Sequence, residues 1–290
     1  LPPLVFWSVV LPLLFFVYYR YIASTASPII DPASYTAGAT LTKLYTFVFN
    51  FNFDTTPLWY LYMLIGLYLV MPILSAWLQQ ASRQEVKRVL YVWGISLMLP
   101  YVKMAAPLLG YTGNFGNMGI LGVCDWNAFG TFYYVSGFIG YLLLAYYLVK
   151  YPPAWSWKRT LAITVPMFVV GYLITSLGFV LTQEHFPGNY ANLEIIWLFA
   201  GINVFMMTFP VFVIVQKIKV PASAWLARAA SLSFGIYLCH FIFVQVAYDW
   251  FDGPLPTMVR ILGMAVSSFA VSYLLVWVMY RFPLTRRFVK

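Results

Sequence analysis

Residues Ser231-Leu-Ser-Phe-Gly-Ile-Tyr-Leu-Cys-His240 open an apolar run of roughly twenty residues, which is long enough to cross a bilayer as a helix. In a helix, the spacing of these residues places Ser233, Tyr237 and His240 on one face. If the helix begins near Ala229, His240 lies about 16 Å along it, close to the middle of a membrane. Because lipid offers no hydrogen-bond partner, this polar face is expected to line a bundle interior or a wet cavity.

The composition of the whole chain agrees with a membrane protein. Of its 290 residues, 62% are hydrophobic and 9% are charged, and the mean hydropathy is +0.81. A soluble domain of this size carries about 25% charged residues. Aromatic residues reach 20%, which fits interfacial belts or the lining of a cavity. Two cysteines, Cys124 and Cys239, are too few for a disulfide framework.

The apolar runs predict an all-α fold, a polytopic transmembrane helical bundle in a single domain over residues 1–290. A shorter apolar stretch at 41–51 is predicted to be an interfacial or re-entrant helix, because it cannot cross a bilayer. Eight spans are predicted, at residues 1–21, 57–78, 90–109, 127–149, 160–182, 194–216, 229–247 and 258–280.

The charges sort the loops into two sets. Segments after the second, fourth, sixth and eighth spans hold 13 of the 17 Lys and Arg residues but one acid, Glu85. By the positive-inside rule these loops and the C-terminus are cytoplasmic. The net charge of +9 is therefore explained by orientation, and nucleic acid is not an expected partner. A share of the basic residues could also attract a polyanionic ligand, such as a nucleotide-bearing thioester.

Familiar catalytic motifs are missing from the sequence. There is no HExxH, CxxC, GxxxxGK[ST] or GxGxxG pattern, and the two histidines are far apart. We therefore expect no metal site and no machinery for ATP hydrolysis or redox chemistry. Few acids fall inside the spans, which gives little support to an ion-coupled transporter.

His240 is the one titratable base expected deep within a span. An imidazole can accept a proton near neutral pH, so a hydroxyl substrate could be activated there. The alternative is a structural histidine hydrogen-bonded between helices. The neighbouring Ser233 and Tyr237 would share its cavity.

Three further side chains are candidates for binding a ligand. Trp59 and Tyr60 could stack on a sugar or an isoprenoid head group, or belong to an aromatic belt. Arg20 could snorkel to the interface or hold an anionic group such as phosphate. Four polar residues on the opposite side from the basic loops are interpreted as solvated loop residues: Asp54, Asp125, Glu184 and His185.

The stretch Thr56-Pro-Leu-Trp-Tyr-Leu-Tyr-Met-Leu-Ile-Gly-Leu-Tyr-Leu-Val-Met-Pro-Ile-Leu74 resembles the signature helix of the acyltransferase-3 family of membrane acyltransferases. Residues 231–240 resemble that family's late Ser-x-x-x-Tyr-Leu-x-His helix. The opening Leu1-Pro-Pro-Leu-Val-Phe-Trp-Ser8 resembles the start of its third helix. The resemblance covers essentially the whole chain, with matching helix order.

The resemblance implies ten membrane helices, so we expect this chain, which begins without Met, to lack the first two. It also implies that the family's main catalytic His and its companion Arg precede Leu1. Trp59, Tyr60, Tyr237 and His240 match retained motif positions and are expected to line the cavity. The implied reaction moves an acyl group, acetyl from acetyl-CoA or a larger group, onto a hydroxyl of a cell-surface saccharide or lipid-linked glycan. The implied location is a bacterial inner membrane.

Two other functions remain open from the sequence. A transporter or flippase for a lipid-linked sugar would use the same polar face, prolines and aromatic residues, but would move substrate without consuming acyl-CoA. A sensor or scaffold without turnover would need a partner domain. The helix that carries Trp59 favours the enzyme.

Overall fold

The computed structural model describes residues 2–23, 30–111, 113, 119–124, 127–219, 221 and 223–290, and within these it contains helices and turns but no β-strand. The helices are α1 Pro2–Val17, α2 Ala37–Thr46, α3 Trp59–Gln80, α4 Arg83–Ser96, α5 Leu99–Ala105, α6 Ile139–Lys150, α7 Trp157–His185, α8 Tyr190–Ile195, α9 Ile202–Lys217, α10 Ala224–Phe251, α11 Thr257–Arg281 and α12 Pro283–Arg286. A π-helical turn, Tyr18–Ile22, continues α1, and a 3-10 turn, Phe53–Leu58, leads into α3. The predicted all-α fold is confirmed.

Among the described residues, six helical segments are long and apolar enough to cross a membrane, by length and composition. They are Pro2–Ile22, Phe53–Gln80, Arg83–Leu109, Trp157–His185, Ala224–Phe251 and Thr257–Arg281. The other two predicted spans, at 127–149 and 194–216, contain the shorter helices α6, of 12 residues, and α9, of 16 residues. Eight apolar helices therefore lie where the eight spans were predicted, and six of them are in segments long enough to cross a membrane as one continuous helical stretch. The chain is a multi-pass membrane protein.

Both short helices follow a break in the backbone whose polar groups find partners. Before α6 the chain turns at Gly137, where φ is +74°, a conformation that favours glycine. The Gly137 carbonyl accepts a hydrogen bond of 2.9 Å from the Trp93 indole. Before α9 the side chain of the buried Asn203 donates to the Ile196 carbonyl at 2.7 Å. These side chains replace helical hydrogen bonds that lipid could not supply.

The fold divides into two compact units. Unit 1 comprises Leu1–Gly66 and Pro221–Lys290, and unit 2 comprises Leu67–Val220. Helix α3 begins in unit 1 and continues into unit 2. The prediction of one domain over residues 1–290 stays a prediction.

Unit 1 packs α1, α10 and α11 around one apolar core. The side chains of Trp7, Phe15 and Val276 are almost fully buried there. Gly235 on α10 permits the close approach of α11, because a Cβ at this position would lie 2.8 Å from a methyl group of Val276. At one end of the unit the Trp7 indole donates to the Phe288 carbonyl at 2.9 Å, which ties the segment after α12 to the start of α1.

Unit 2 is centred on Trp93 of α4. Its buried ring meets Tyr141 of α6 edge-on, with centroids 4.9 Å apart, and Phe205 of α9 at 5.5 Å. Helices α7 and α9 pack against each other, and Asn203 of α9 also donates to the Thr175 hydroxyl of α7 at 2.9 Å. Unit 2 thus has an apolar core of its own.

Candidate functional site

Four of the six predicted site residues form a continuous series of rings in unit 1. Trp59 and Tyr60 lie in the first turn of α3, with ring centroids 6.1 Å apart. The Tyr60 ring meets Tyr237 of α10 edge-on at 5.3 Å. The Tyr237 ring in turn lies 5.6 Å from the His240 imidazole. Two motifs separated by more than 170 residues in sequence therefore meet in space.

The imidazole of His240 is half-buried and has a defined orientation. Its Nδ1 lies 2.6 Å from the Tyr237 carbonyl oxygen. A carbonyl can only accept, so this contact is a hydrogen bond when Nδ1 carries the proton. That tautomer leaves the Nε2 lone pair free to accept a proton or a hydrogen bond. No acid among the described residues forms an ion pair with His240.

The other two predicted residues are not part of this series. Ser233 is exposed, and its hydroxyl donates to the Ala230 carbonyl at 2.8 Å, one turn back along α10. Arg20 is exposed in the π-helical turn and forms no ion pair with any described residue. Neither position shows a contact to His240, so their roles in binding stay predictions.

A buried ionic cluster supports the start of α3, and the sequence interpretation missed it. Asp54 is fully buried, and its carboxylate accepts hydrogen bonds from Lys43 Nζ at 2.6 Å and from the Tyr35 hydroxyl at 2.8 Å. The Lys43 ammonium also lies over the Tyr35 ring, 4.4 Å from its centroid. Burial, and then the Asp54 carboxylate, raise the pKa of Tyr35, so this hydroxyl stays protonated and donating.

The interpretation of Asp54 as a solvated loop residue is therefore wrong. It sits in the 3-10 turn that leads directly into Trp59, so its ion pair with Lys43 fixes the entry of α3. The available signal was a Lys within the short apolar stretch at 41–51 and an Asp three residues after it. Glu184 and His185 are exposed, as predicted, but they form the end of α7 rather than part of a loop. Asp125 lies outside the described residues.

A small basic cleft lies at the end of unit 1 opposite the Lys43–Asp54 pair. Its volume is about 290 Å³, and it is lined by Arg228, Leu232, Trp277, Tyr280 and Arg281. The Arg281 guanidinium lies 3.9 Å from the centroid of the Trp277 ring. Arg286 donates to the Tyr280 hydroxyl at 2.9 Å, which adds another cation beside the cleft. Guanidinium groups beside aromatic rings suit a planar, anionic ligand such as a nucleotide.

Helix α10 links this cleft with the ring series. Arg228 and His240 are twelve residues apart on it, which corresponds to about 18 Å of helix. An extended ligand with its charges at Arg228 could therefore place its other end near His240. A larger cavity of about 640 Å³ lies in unit 2, but its mostly aliphatic lining suits hydrocarbon rather than an ionic ligand.

These features define a class of protein: a multi-pass helical membrane protein with a histidine in mid-helix, an aromatic series beside it and a basic cleft at one end. The family model described as an acyltransferase domain matches residues 1–277, and the chain belongs to this family, acyltransferase-3. The resemblance of the motifs is thereby confirmed, and the chain is a membrane acyltransferase. No curated protein and no solved structure gives a significant match.

Proposed function

We propose that this protein is an O-acyltransferase that moves an acyl group, most simply acetyl, from acyl-CoA to a hydroxyl of a cell-surface saccharide or lipid-linked glycan. The observation that carries the proposal is the arrangement along α10. A cleft with Arg228 and Arg281 lies at one end, and the free Nε2 of His240 lies about 18 Å further on. Coenzyme A is an anion with a long flexible arm, so it can occupy the cleft and extend toward the histidine.

The donor is placed on the cytoplasmic side of a bacterial inner membrane, where the basic loops and the C-terminus would face. This follows from the positive-inside rule. The phosphates would be held by Arg228 and Arg281, which supply bidentate donors to phosphate oxygens. No metal is required, because the attacking group is a hydroxyl and the leaving group is a thiolate.

The reaction would proceed by attack of the acceptor oxygen on the thioester carbonyl. A base removes the hydroxyl proton, the oxygen–carbon bond forms, and the carbon–sulfur bond breaks. The thiolate takes up a proton and leaves as free CoA. We assign His240 a supporting role rather than that of the principal base, because no acid among the described residues forms an ion pair with it. Its Nε2 would accept a hydrogen bond from the acceptor hydroxyl and so orient it, while Tyr60 and Tyr237 hold the ring of His240 in place.

A substitution of His240 tests this role with a matched control in the same chain. We would express the protein from its native gene, reconstitute it in lipid nanodiscs and measure label transfer from radiolabelled acetyl-CoA to a crude envelope glycan. His240→Ala should lower the transfer rate by about 10²-fold, as expected when a contact that orients a reacting group is lost. His185→Ala, at the exposed histidine, should leave it within about twofold. Full activity of a normally expressed His240→Ala protein would remove His240 from the mechanism.

A further inference from the structure

A second polar cluster lies at the end of unit 1 opposite the basic cleft, and no role above accounts for it. It is formed by the ends of α1 and α10. The Asp249 carboxylate interacts with the hydroxyls of Tyr18 and Tyr19, which follow α1 directly. The Tyr19 ring also stacks on Tyr35, with centroids 5.1 Å apart, so the cluster is held against the Lys43–Asp54 pair.

Two polar atoms in this cluster are buried without a hydrogen-bond partner among the described residues. They are Oδ2 of Asp249 and the hydroxyl oxygen of Tyr19, whose side chain is 2% exposed. Although the two groups are close enough to interact, they do not reach hydrogen-bond geometry at these atoms. Buried polar atoms are nearly always satisfied in folded proteins, so an unsatisfied pair marks a place that a ligand can complete.

The charges around Asp249 restrict what that ligand can be. The ion pairs among the described residues join Lys43 to Asp54 and Arg260 to Asp252, both at 2.6 Å, and neither involves Asp249. Oδ2 of Asp249 therefore lacks a hydrogen-bond donor among the described residues. A metal ion is poorly served, since no group of three or more His, Cys, Asp or Glu side chains among the described residues could hold one. The hydroxyl groups of a ligand can supply such donors.

Aromatic surface lies beside these acceptors. Trp250 directly follows Asp249 in the sequence and is 76% exposed. The Tyr18 hydroxyl also interacts with the Trp250 side chain, which places the indole next to the cluster. A carboxylate beside an exposed indole offers acceptors for the hydroxyls of a sugar and a flat apolar surface for its ring.

We propose that Asp249 and Tyr19 form a binding subsite for the hydroxyl groups of a saccharide, with Trp250 stacking on the sugar ring. The subsite deepens the proposed function, because it would hold a sugar of the acceptor. It stands at the far end of α10 from Arg228, so one helix would carry the donor cleft, His240 and the acceptor subsite in that order.

The subsite is tested by sugar binding in the absence of any acyl donor. We would use saturation-transfer NMR on the native-gene protein in nanodiscs, with the methyl glycosides of glucose, galactose, mannose and N-acetylglucosamine as probes. At least one glycoside should bind. Asp249→Asn should weaken its binding by at least about tenfold, since a hydrogen bond to a charged group is lost. Tyr19→Phe, which keeps the ring, should weaken it by about fivefold.

Matched controls separate the subsite from general effects on the surface. Asp252→Asn removes a carboxylate three residues away that is already paired with Arg260, and Tyr45→Phe removes an exposed hydroxyl. Both should bind the glycoside within about twofold of the wild type. If Asp249→Asn does not fold, the result for Tyr19→Phe decides.

Three results would overturn the inference. They are the absence of binding by all four glycosides, unchanged binding in Asp249→Asn and Tyr19→Phe, and Asp249-dependent binding of Ca²⁺ by calorimetry without binding of any glycoside. The test is independent of catalysis. If the protein binds glycosides through Asp249 but transfers no acyl group, the subsite is supported and the proposed function is contradicted. If it transfers an acyl group but binds no glycoside, the proposed function is supported and the subsite is contradicted.

Discussion

Lys43 Nζ lies 2.6 Å from Oδ2 of Asp54, and this ion pair holds a fully buried carboxylate in the turn that starts α3. A charge buried in this way is strongly destabilising once its partner is removed. Lys43→Met should therefore lower the free energy of unfolding by about 3 kcal/mol. This value is near the lower end of the range for breaking a buried ion pair, because the lysine side chain is 26% exposed.

The double variant Lys43→Met with Asp54→Leu checks that explanation, because it removes both charges and leaves no stranded carboxylate. It should recover most of the stability lost in Lys43→Met, measured by reversible denaturant unfolding in mixed micelles. If the double variant is as unstable as the single one, the lost stability comes from packing rather than from the buried charge.

Tyr35 provides a prediction for alkaline pH. Burial and the Asp54 carboxylate raise its pKa above the usual value of about 10. Above pH 10 the unfolded chain therefore releases this proton while the folded chain retains it, and stability falls as pH rises. Tyr35→Phe should be less stable at pH 8, because its hydrogen bond to Asp54 is lost, but its stability should decline less steeply above pH 10.

The difference between the two slopes should approach about 1.4 kcal/mol per pH unit, the contribution of one proton. Denaturant unfolding between pH 8 and 11.5 measures it, and comparison with the wild type cancels the other tyrosines. Parallel curves for wild type and Tyr35→Phe would show that the pKa of Tyr35 is not raised by folding.

The ring of Tyr60 should matter for turnover through its contact with Tyr237. The centroids are 5.3 Å apart, and Tyr237 in turn contacts His240. Tyr60→Ala should lower kcat about tenfold with little change in the KM for acetyl-CoA, while Tyr60→Phe should stay within about twofold. Tyr60→Ala and Tyr237→Ala should also be non-additive, as expected for residues in contact. Simple additivity would argue against a positioning role.

The basic cleft should control the donor. Arg281→Ala and Arg228→Ala should each raise the KM for acetyl-CoA by about tenfold, with a smaller change in kcat, because each removes a charge-assisted contact. Arg260→Ala serves as the control, since that arginine pairs with Asp252 at the other end of unit 1. An equal rise in KM for all three variants would indicate a general loss of positive charge rather than a donor cleft.

Much of the fold and part of the site were predictable from the sequence because they depend on local pattern. The apolar runs fixed the positions of the helices, and the spacing on α10 correctly placed Tyr237 and His240 together. The contact of these residues with Tyr60 was predictable only through the resemblance, since nothing in either stretch alone specifies which helices pack together.

The failures have physical causes that lie outside local pattern. The burial of Asp54 depends on the way the segment with Tyr35 and Lys43 packs over the start of α3, which is a tertiary contact. The shortness of α6 and α9 depends on Trp93 and Asn203. Their side chains donate hydrogen bonds to the carbonyls of Gly137 and Ile196, at positions that the hydrophobicity of the sequence assigns to continuous helices. The exposure of Ser233 reflects helix packing rather than spacing.

The central claim is that this protein transfers an acyl group from CoA to a glycan hydroxyl. The most direct measurement uses the native-gene protein in proteoliposomes with radiolabelled acetyl-CoA and an envelope glycan fraction, and it records glycan label and released CoA together. The account predicts that label enters the glycan as an alkali-labile ester, in amounts equal to the CoA released. Movement of glycan across the bilayer with no transfer and no CoA release, across several acyl donors and acceptors, would contradict it and favour a transporter.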